Sequence, residues 1–126
     1  MTSSSIKSVL VVDDSRLARM LISKYILGLH PHWLILEASN GLEAVEKAKV
    51  ESPNYITMDY NMEGMTGVEA AQQIMQYAPQ TSIVLFTANI QSSTQAQAQK
   101  LGIYFVGKPV TQNSVQQALD YFTNRP

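Results

Sequence analysis

Acidic residues that follow short apolar runs are the strongest candidates for chemistry in this sequence. Asp13 and Asp14 come directly after Val9–Val12, and Asp59 comes directly after Tyr55–Met58. Carboxylates held close together repel one another and raise one another's pKa unless a cation lies among them, and a cluster of oxygen ligands suits Mg²⁺. The acidic pair also has a structural interpretation, as a helix N-cap and a partner of the helix dipole. These acids predict a Mg²⁺ site, provided that the fold brings them together.

A threonine and a lysine follow two later apolar runs in a similar way. Thr87 comes after Ser82–Phe86, and Lys108 lies just past Ile103–Val106. The lysine supplies a fixed positive charge, and the threonine hydroxyl is able to hydrogen-bond an oxygen of an anion bound at Asp59. This set suits phosphoryl transfer, in which catalysis is mostly positioning and charge neutralisation and a carboxylate nucleophile forms an acyl phosphate. Taken singly, each residue is more often structural or solvated, so the prediction depends on their shared location.

The apolar runs also predict the fold. Together with Leu34–Leu36 they form five short runs rich in β-branched or aromatic residues, which we interpret as strands buried on both faces. Between and after them lie five stretches of helical period, the first with an inward stripe of Ala18, Leu21, Ile22, Tyr25 and Leu29. This alternation predicts an α/β fold, a doubly wound (βα)5 parallel sheet with helices on both faces. Ligands of such sheets bind beyond the carboxyl ends of the strands, where the polar residues named above are expected.

The composition limits the classes of function. With 126 residues, 45% of them hydrophobic, we expect one domain over residues 1–126. The formal net charge of −1 gives no overall field to attract nucleic acid or a membrane surface, so we expect neither as a direct partner. The lack of cysteine excludes disulfides and thiolate sites. A cytoplasmic location is expected because no targeting or membrane-spanning stretch is seen.

Four motifs carry a family resemblance that covers essentially the whole chain. They are Val11-Val12-Asp13-Asp14-Ser15, Asp59-x-Asn61-Met62-x-Gly64 followed by Gly67, Thr87-Ala88, and Lys108-Pro109. In motif and spacing the sequence resembles a response-regulator receiver domain of two-component signalling, similar to single-domain chemotaxis regulators. The resemblance implies the flavodoxin-like strand order 2-1-3-4-5.

The resemblance also implies a role for each site residue. Asp59 is then the phosphoacceptor, and Asp13 and Asp14 help to hold Mg²⁺ directly or through water. The backbone carbonyl of Asn61 is a further metal ligand in the family. Asn61 and Asn89, two residues after Asp59 and Thr87, are expected to tune the lifetime of the phosphorylated state.

Two switch residues and a cis peptide bond are implied as well. Thr87 moves toward the phosphoryl group and Lys108 bonds it, while an aromatic residue three positions before the lysine, here Phe105, rotates inward on activation. Tyr104 is the second candidate and is expected to point to the opposite face of its strand. The bond between Lys108 and Pro109 is expected to be cis.

Two departures from the family pattern concern the loops. Glu63 stands where the family usually has proline, which adds a negative charge and backbone freedom after Asp59. The segment from Gly102 to Lys108 is slightly shorter than the usual spacing, so the turn into the fifth strand is left open.

The partners that the resemblance implies are proteins. We expect a sensor histidine kinase or a histidine phosphotransfer protein as phosphodonor, and a downstream protein target that binds the surface of helix four, strand five and helix five. From residue 88 onward the only charged residues are Lys100, Lys108, Asp120 and Arg125, too few for the ion pairs of DNA-binding relatives that dimerise there, so a monomer is expected. Leu17, Met20 and Leu27 lie off the inward stripe of the first helix and are either ordinary exposed side chains or a docking surface for the kinase.

Several alternatives remain beside the receiver prediction. The chain could be the receiver of a larger multidomain regulator, although its end shortly after the fifth helix favours a stand-alone protein. A Mg²⁺-dependent aspartyl-phosphate phosphatase needs an acid two residues after its nucleophile, where Asn61 stands. We therefore predict a phosphoacceptor that assists its own phosphorylation and dephosphorylation and is not an enzyme acting on an outside substrate. A flavodoxin-like carrier is disfavoured by the acids after the first strand, and a phosphate-binding loop at Gly102–Lys108 is disfavoured by its strand-like middle and by Pro109.

Overall fold

The computed structural model describes residues 6–88 and 91–124. Ten elements alternate along the chain. The strands are β1 (Ser8–Val12), β2 (Leu34–Ala38), β3 (Tyr55–Met58), β4 (Ser82–Thr87) and β5 (Tyr104–Gly107). The helices are α1 (Arg16–Leu29), α2 (Gly41–Glu51), α3 (Gly67–Tyr77), α4 (Ser92–Lys100) and α5 (Gln112–Thr123). All strand pairs are parallel and the sheet order is β2-β1-β3-β4-β5, which confirms the predicted fold.

Side chains alternate along the strands between two hydrophobic cores. Leu10, Ile56 and Leu85 face one core, to which α2, α3 and α4 contribute. Val11 and Val84 belong to the other core, which is completed by α1 and α5. This division follows from the period of two along a strand, and it gives the sheet helices on both faces.

The prediction that every strand is buried on both faces is wrong for β2 and β5. β2 is an edge strand in which Leu34 is 56% exposed, and no residue of β2 except Ala38 is fully buried. β5, at the other edge, exposes Tyr104 by 40%. An edge strand has a neighbour on one side only, and an apolar run does not reveal at which position in the sheet the strand lies.

The predicted inward stripe of α1 is also partly wrong. Ile22 and Ile26 are the fully buried residues of this helix, whereas Leu29 at its end is 40% exposed. Leu17 and Met20 are 59% and 58% exposed, as predicted for residues off the stripe. The core contact of α1 is therefore narrower than its apolar content suggests.

Polar side chains cap the N-termini of four of the five described helices. Ser15, Asn40, Thr66 and Thr111 each accept a hydrogen bond from a backbone N–H in the first turn of α1, α2, α3 and α5. α4 lacks a side-chain cap bond of this kind. None of the helices in the two described stretches combines the length and apolar character required to cross a bilayer.

Candidate phosphoryl-transfer and metal site

The ends of β1, β2 and β3 bring the acidic residues together. β1 is in register with both neighbours, with Val12 opposite Ala38 on one side and Met58 on the other. The ladder continues beyond the strands, because the Asp13 amide donates to the Ala38 carbonyl at 3.1 Å and the Asp59 amide donates to the Val12 carbonyl at 3.0 Å. Both aspartates are therefore fixed through backbone hydrogen bonds.

Asp13, Asp14 and Asp59 form an acidic cluster at this edge. One carboxylate oxygen of each lies within 4.8 Å of the others, close enough for a single cation to contact all three. Asp13 and Asp59 are buried, with 1% and 5% exposure, whereas Asp14 is exposed to solvent. No other group of three acidic, histidine or cysteine side chains within residues 6–88 and 91–124 is so arranged. An all-oxygen set with one side open to water fits Mg²⁺, which usually keeps several water ligands.

Asp13 is held by its neighbours in an orientation that a helix cap would not require. Its Oδ1 accepts from the Ser15 amide at 2.9 Å, and its Oδ2 accepts from Lys108 Nζ at 2.7 Å. The side chain that caps α1 is that of Ser15, which accepts from the Ala18 amide at 3.2 Å. The structural interpretation of the acidic pair as the N-cap is therefore wrong for this helix.

Burial and neighbouring charge raise the pKa of Asp59. Desolvation is the main cause and the negative charge of Asp13 the second, while Lys108 and a hydrogen bond from Thr87 act in the opposite direction; together they raise the pKa of Asp59 from 3.8 to about 6. A raised carboxyl pKa means that this environment disfavours the charged form, and a cation bound beside the carboxylates would favour it. The convergence of three carboxylate oxygens, two of them on buried residues, is the observation that fits this donor set to a metal ion.

Thr87 and Lys108 lie beside Asp59. Thr87 is fully buried at the end of β4, and its hydroxyl hydrogen-bonds the Asp59 carboxylate. The Lys108 amide donates to the Thr87 carbonyl at 2.9 Å, and its Nζ lies 3.8 Å from Asp59 Oδ1. The register of β5, with Gly107 opposite Thr87, places this lysine beside the cluster. The short turn left open by the sequence is formed with Gly102 at φ +74°, and the peptide bond before Pro109 is cis, as expected.

The loop between β3 and α3 folds tightly against the site. A Cβ built on Gly67 would lie 2.1 Å from the carbonyl oxygen of Asp59, so no side chain fits there. Gly64 has a φ of +83°, a conformation that glycine adopts readily. Asn61 and Glu63 are exposed residues of this loop, and the metal-binding role of the Asn61 carbonyl stays a prediction. Asn89 lies outside the described residues.

The two aromatic residues of β5 face opposite sides of the sheet, as predicted. Phe105 is half-buried and packs against the core formed with α2, α3 and α4. Tyr104 stacks on Tyr121 of α5 with ring centroids 4.6 Å apart. Phe105 thus lies on the α4 side of the sheet, on the strand next to Thr87, and its switch role stays a prediction.

Comparisons with known proteins identify the family. The model of the response regulator receiver domain matches residues 9–120. The chain is a response regulator receiver domain. It is 37% identical over 115 residues to the chemotaxis protein CheY of Thermotoga maritima, covering 90% of this chain and 95% of that protein. The response regulator domain of Thermotoga maritima CheB superposes with a TM-score of 0.77 at 29% identity, over 96% of this chain and 99% of the other. The structure of a CheX–CheY–BeF₃–Mg²⁺ complex from Borrelia burgdorferi gives a TM-score of 0.86 at 23% identity, over 97% of this chain and 93% of the other, and shows the same fold.

One part of this receiver domain was missed by sequence reasoning. Arg19 of α1 donates from Nη1 to the Asp13 carbonyl at 2.8 Å and from Nε to Glu37 Oε1 at 2.8 Å. The guanidinium therefore links the backbone of the acidic cluster to β2. Its position six residues after Asp13 carried no signal, because a partner on another strand becomes visible only when the strand order is known.

Proposed function

We propose that this receiver domain accepts a phosphoryl group on Asp59 from a phosphohistidine of a sensor kinase or histidine phosphotransfer protein. The observation that carries the proposal is the meeting of three carboxylates with Lys108 and Thr87 at the carboxyl edge of one parallel sheet. Phosphoryl transfer needs both a nucleophile and fixed positive charge around it, and this arrangement supplies both.

The chemistry assigns one task to each side chain. An Asp59 carboxylate oxygen attacks phosphorus, the new O–P bond forms as the P–N bond of the phosphohistidine breaks, and the bonding electron pair returns to the imidazole ring. Lys108 moves its ammonium from Asp13 toward a phosphoryl oxygen, a short shift because Nζ is already 3.8 Å from Asp59. The Thr87 hydroxyl exchanges its bond to the carboxylate for one to the phosphoryl group. Charge-assisted bonds of this kind are among the strong hydrogen bonds in proteins.

The cation that fits this donor set is Mg²⁺. Asp13, Asp14 and Asp59 would hold it with the backbone carbonyl of Asn61, and water would complete the coordination. A Mg²⁺ ion held by these residues would supply charge neutralisation for the phosphoryl oxygens as they approach three carboxylates. The relative solved with BeF₃ and Mg²⁺ supports this assignment by analogy of fold.

The proposed output passes through β4, β5 and α4. Movement of Thr87 toward the phosphoryl group vacates space at the end of β4, and Phe105 on the neighbouring strand turns inward to fill it. The surface of α4, β5 and α5 then binds a downstream protein. A shift from mostly inactive to mostly active needs about 5 kcal/mol of differential stabilisation, which a few charge-assisted bonds and the burial of one aromatic ring are able to supply.

The proposal includes a monomeric protein in the cytoplasm that acts by protein contact. The stretch from Gln91 to Asn124 carries only Lys100, Lys108 and Asp120 as charged residues, which leaves the output surface poor in groups for cross-subunit ion pairs or for nucleic acid. Sedimentation before and after phosphorylation tests this point, and a phosphorylation-dependent dimer through α4 and α5 would contradict it.

The exposed apolar residues of α1 provide a docking surface for the phosphodonor in this proposal. Leu17 and Met20 lie at the start of α1, next to the acidic cluster, and are more than half exposed. Replacing both with glutamine is expected to slow phosphotransfer from the kinase at least tenfold, since burial of each apolar side chain contributes about 1.5–3 kcal/mol. Phosphorylation by acetyl phosphate, which has no docking helix, is expected to stay unchanged. Equal rates with the kinase for both proteins would remove the docking role.

The proposed phosphoacceptor is tested by incubation with acetyl phosphate, with and without Mg²⁺, followed by intact mass. We expect a Mg²⁺-dependent phosphoryl adduct on the wild type and none on Asp59→Asn. Beryllofluoride with Mg²⁺ is expected to shift the amide NMR signals of Thr87, Phe105 and α4. Turnover of simple phosphate monoesters at a rate above buffer would instead favour the phosphatase alternative, and the absence of any adduct would mean a receiver scaffold that binds its partners constitutively.

A further inference from the structure

Asp13 and Asp14 are oriented by different means, although they are adjacent. The Asp13 carboxylate is held by the Ser15 amide and by Lys108 Nζ. The Asp14 side chain is exposed and has no hydrogen bond or ion pair to any other residue of the described stretches 6–88 and 91–124. The direction in which Asp14 points is therefore set by the backbone before it.

Arg19 holds that stretch of backbone. Its Nη1 donates to the Asp13 carbonyl at 2.8 Å, and its Nε donates to Glu37 Oε1, also at 2.8 Å. The Arg19 side chain is 16% exposed, compared with 52% for Glu37, so the guanidinium is largely buried between α1 and β2. A planar fork with several donors in a fixed geometry satisfies both acceptors at once, which a lysine ammonium on a flexible stem does less well.

The backbone of Glu37, the residue that pairs with this arginine, is fixed by two neighbouring elements. Glu37 is paired in the β1–β2 ladder with Val11, which lies two residues before Asp13. Lys47 of α2 donates from Nζ to the Glu37 backbone carbonyl, and the same Nζ lies 3.4 Å from Glu43 Oε2. The Arg19–Glu37 pair therefore connects the acidic cluster to a strand and a helix that contribute no ligand to it.

We infer that Arg19 is a positioning residue that orients the Asp14 carboxylate for Mg²⁺ by fixing the peptide plane between Asp13 and Asp14. The Asp13 carbonyl and the Asp14 amide share one rigid plane, so a bond to the carbonyl restrains the backbone direction at Asp14. The inference rests on the proposed Mg²⁺ and phosphoacceptor function of the cluster. Arg19 works through the backbone, because its hydrogen bonds run to the Asp13 carbonyl and to Glu37, and not to a carboxylate of the acidic cluster.

The inference predicts a loss of metal affinity without a matching loss of chemistry. Arg19→Met is expected to raise the Mg²⁺ dissociation constant roughly 10-fold, at the lower end of the effect of residues that orient metal ligands. At saturating Mg²⁺ its rate of phosphorylation by acetyl phosphate is expected to approach that of the wild type. The Mg²⁺ dissociation constant of Arg19→Lys is expected to lie between those of the wild type and Arg19→Met. Lys24→Met is the matched control, since it removes one positive charge from an exposed position of α1 and is expected to leave the Mg²⁺ dissociation constant unchanged.

Two spectroscopic signatures separate positioning from general stability. The ¹³C shift of the Asp13 carbonyl and the ¹⁵N shift of the Asp14 amide are expected to change in Arg19→Met in the absence of metal, and to remain as in the wild type in Lys24→Met. If Arg19→Met fails to fold, Arg19→Lys and Glu37→Gln provide the same readouts with smaller perturbations. In a double-mutant cycle, Glu37→Met is expected to raise the Mg²⁺ dissociation constant less when Arg19 is already replaced, because the two side chains act as one unit.

The experiments distinguish failure of this inference from failure of the proposed function. The wild type is measured first, and a wild type that binds no Mg²⁺ and gains no adduct would overturn both. If the wild type binds Mg²⁺ and is phosphorylated, an unchanged Mg²⁺ dissociation constant in Arg19→Met would overturn the positioning role alone. A reduced urea midpoint with unchanged metal affinity and unchanged Asp13 carbonyl shift would assign Arg19 a structural role only.

Discussion

Two helices flank the carboxyl-terminal half of the sheet, and they are anchored very differently. α5 buries a stripe of residues that ends in Leu119 and Phe122, and it starts with reciprocal bonds between Thr111 and Ser114. α4 buries only Thr94 and Ala98, and no side chain caps its first turn. A helix with few buried apolar groups belongs to the low-stability end of a fold. The difference places the adaptable part of this receiver domain beside Phe105 and Thr87, and the fixed part on the opposite face.

The largest difference in unfolding free energy is expected when one buried side chain of each helix is made smaller. Phe122 stacks on Tyr55 with centroids 4.6 Å apart, and Phe122→Ala is expected to cost about 3–5 kcal/mol of unfolding free energy. Ala98→Gly in α4 removes one buried methyl group and some helix propensity, and is expected to cost about 1–2 kcal/mol. Urea denaturation followed by far-UV circular dichroism measures both. Similar costs for the two variants would mean that α4 is as firmly anchored as α5.

The buried carboxylate of Asp59, which belongs to neither helix, predicts a pH dependence of stability. The pKa of Asp59 is raised to about 6, whereas the unfolded chain releases this proton near 3.8. Between these values the folded state holds the proton more tightly, so the stabilisation present at low pH is lost as pH rises through the window. The loss amounts to about 3 kcal/mol and is complete above the folded pKa.

Asp59→Asn isolates this effect. Without Mg²⁺ its unfolding free energy is expected to exceed that of the wild type by an amount that grows from pH 4 to pH 7, and Mg²⁺ is expected to stabilise the wild type more at pH 7 than at pH 5. Lys100→Met in α4 serves as the control, and its unfolding free energy is expected to differ from that of the wild type by the same amount at every pH from 4 to 7. A constant difference between wild type and Asp59→Asn across the range would contradict the raised pKa.

A further contrast concerns room for an extra atom. Gly67→Ala would place Cβ 2.1 Å from the Asp59 carbonyl oxygen and 2.9 Å from its carbon, so the backbone of the site must shift. We expect a cost of about 2 kcal/mol and weaker Mg²⁺ binding. Gly28 in α1 has nothing within 4 Å of such a Cβ, and Gly28→Ala is expected to stabilise the helix by about 1 kcal/mol. Thermal unfolding with and without Mg²⁺ compares the two, and a neutral Gly67→Ala would show that the loop is less tightly packed than described.

The sequence predicted the layout of the site because strand ends and ligand position are coupled in a parallel sheet. Once alternating strands and helices are recognised, Asp13, Asp59 and Thr87 must lie at the same edge. Lys108 lies at the same edge because Gly107, the residue before it in β5, pairs with Thr87. The cis bond before Pro109 followed only from the family resemblance.

The sequence failed where burial depends on neighbours. The run Leu34–Leu36 looks like a buried strand, but its position at the edge of the sheet leaves Leu34 56% exposed. Leu29 belongs to the helical period of α1, yet the helix ends there and its core contact is made by Ile22 and Ile26. Edge position and the contact of Arg19 with Glu37 depend on which strand lies next to which, and apolar periodicity within a segment does not contain that information.

The smallest expected effect is a local one, in hydrogen exchange. Amides in the second half of α4, Gln95–Lys100, are expected to exchange through openings that cost less free energy than global unfolding, whereas amides of Val115–Thr123 in α5 require global unfolding. Beryllofluoride with Mg²⁺ is expected to change the opening free energy of α4 by about 1 kcal/mol. The opening free energy of α5 is expected to remain equal to that of global unfolding. The reason for this expectation is that the proposed inward rotation of Phe105 would change the surface on which α4 packs, while α5 packs on the other side of the sheet. Equal protection of both helices at rest would contradict the weaker anchoring of α4, and a change confined to α5 on activation would assign the switch to the opposite face of the sheet.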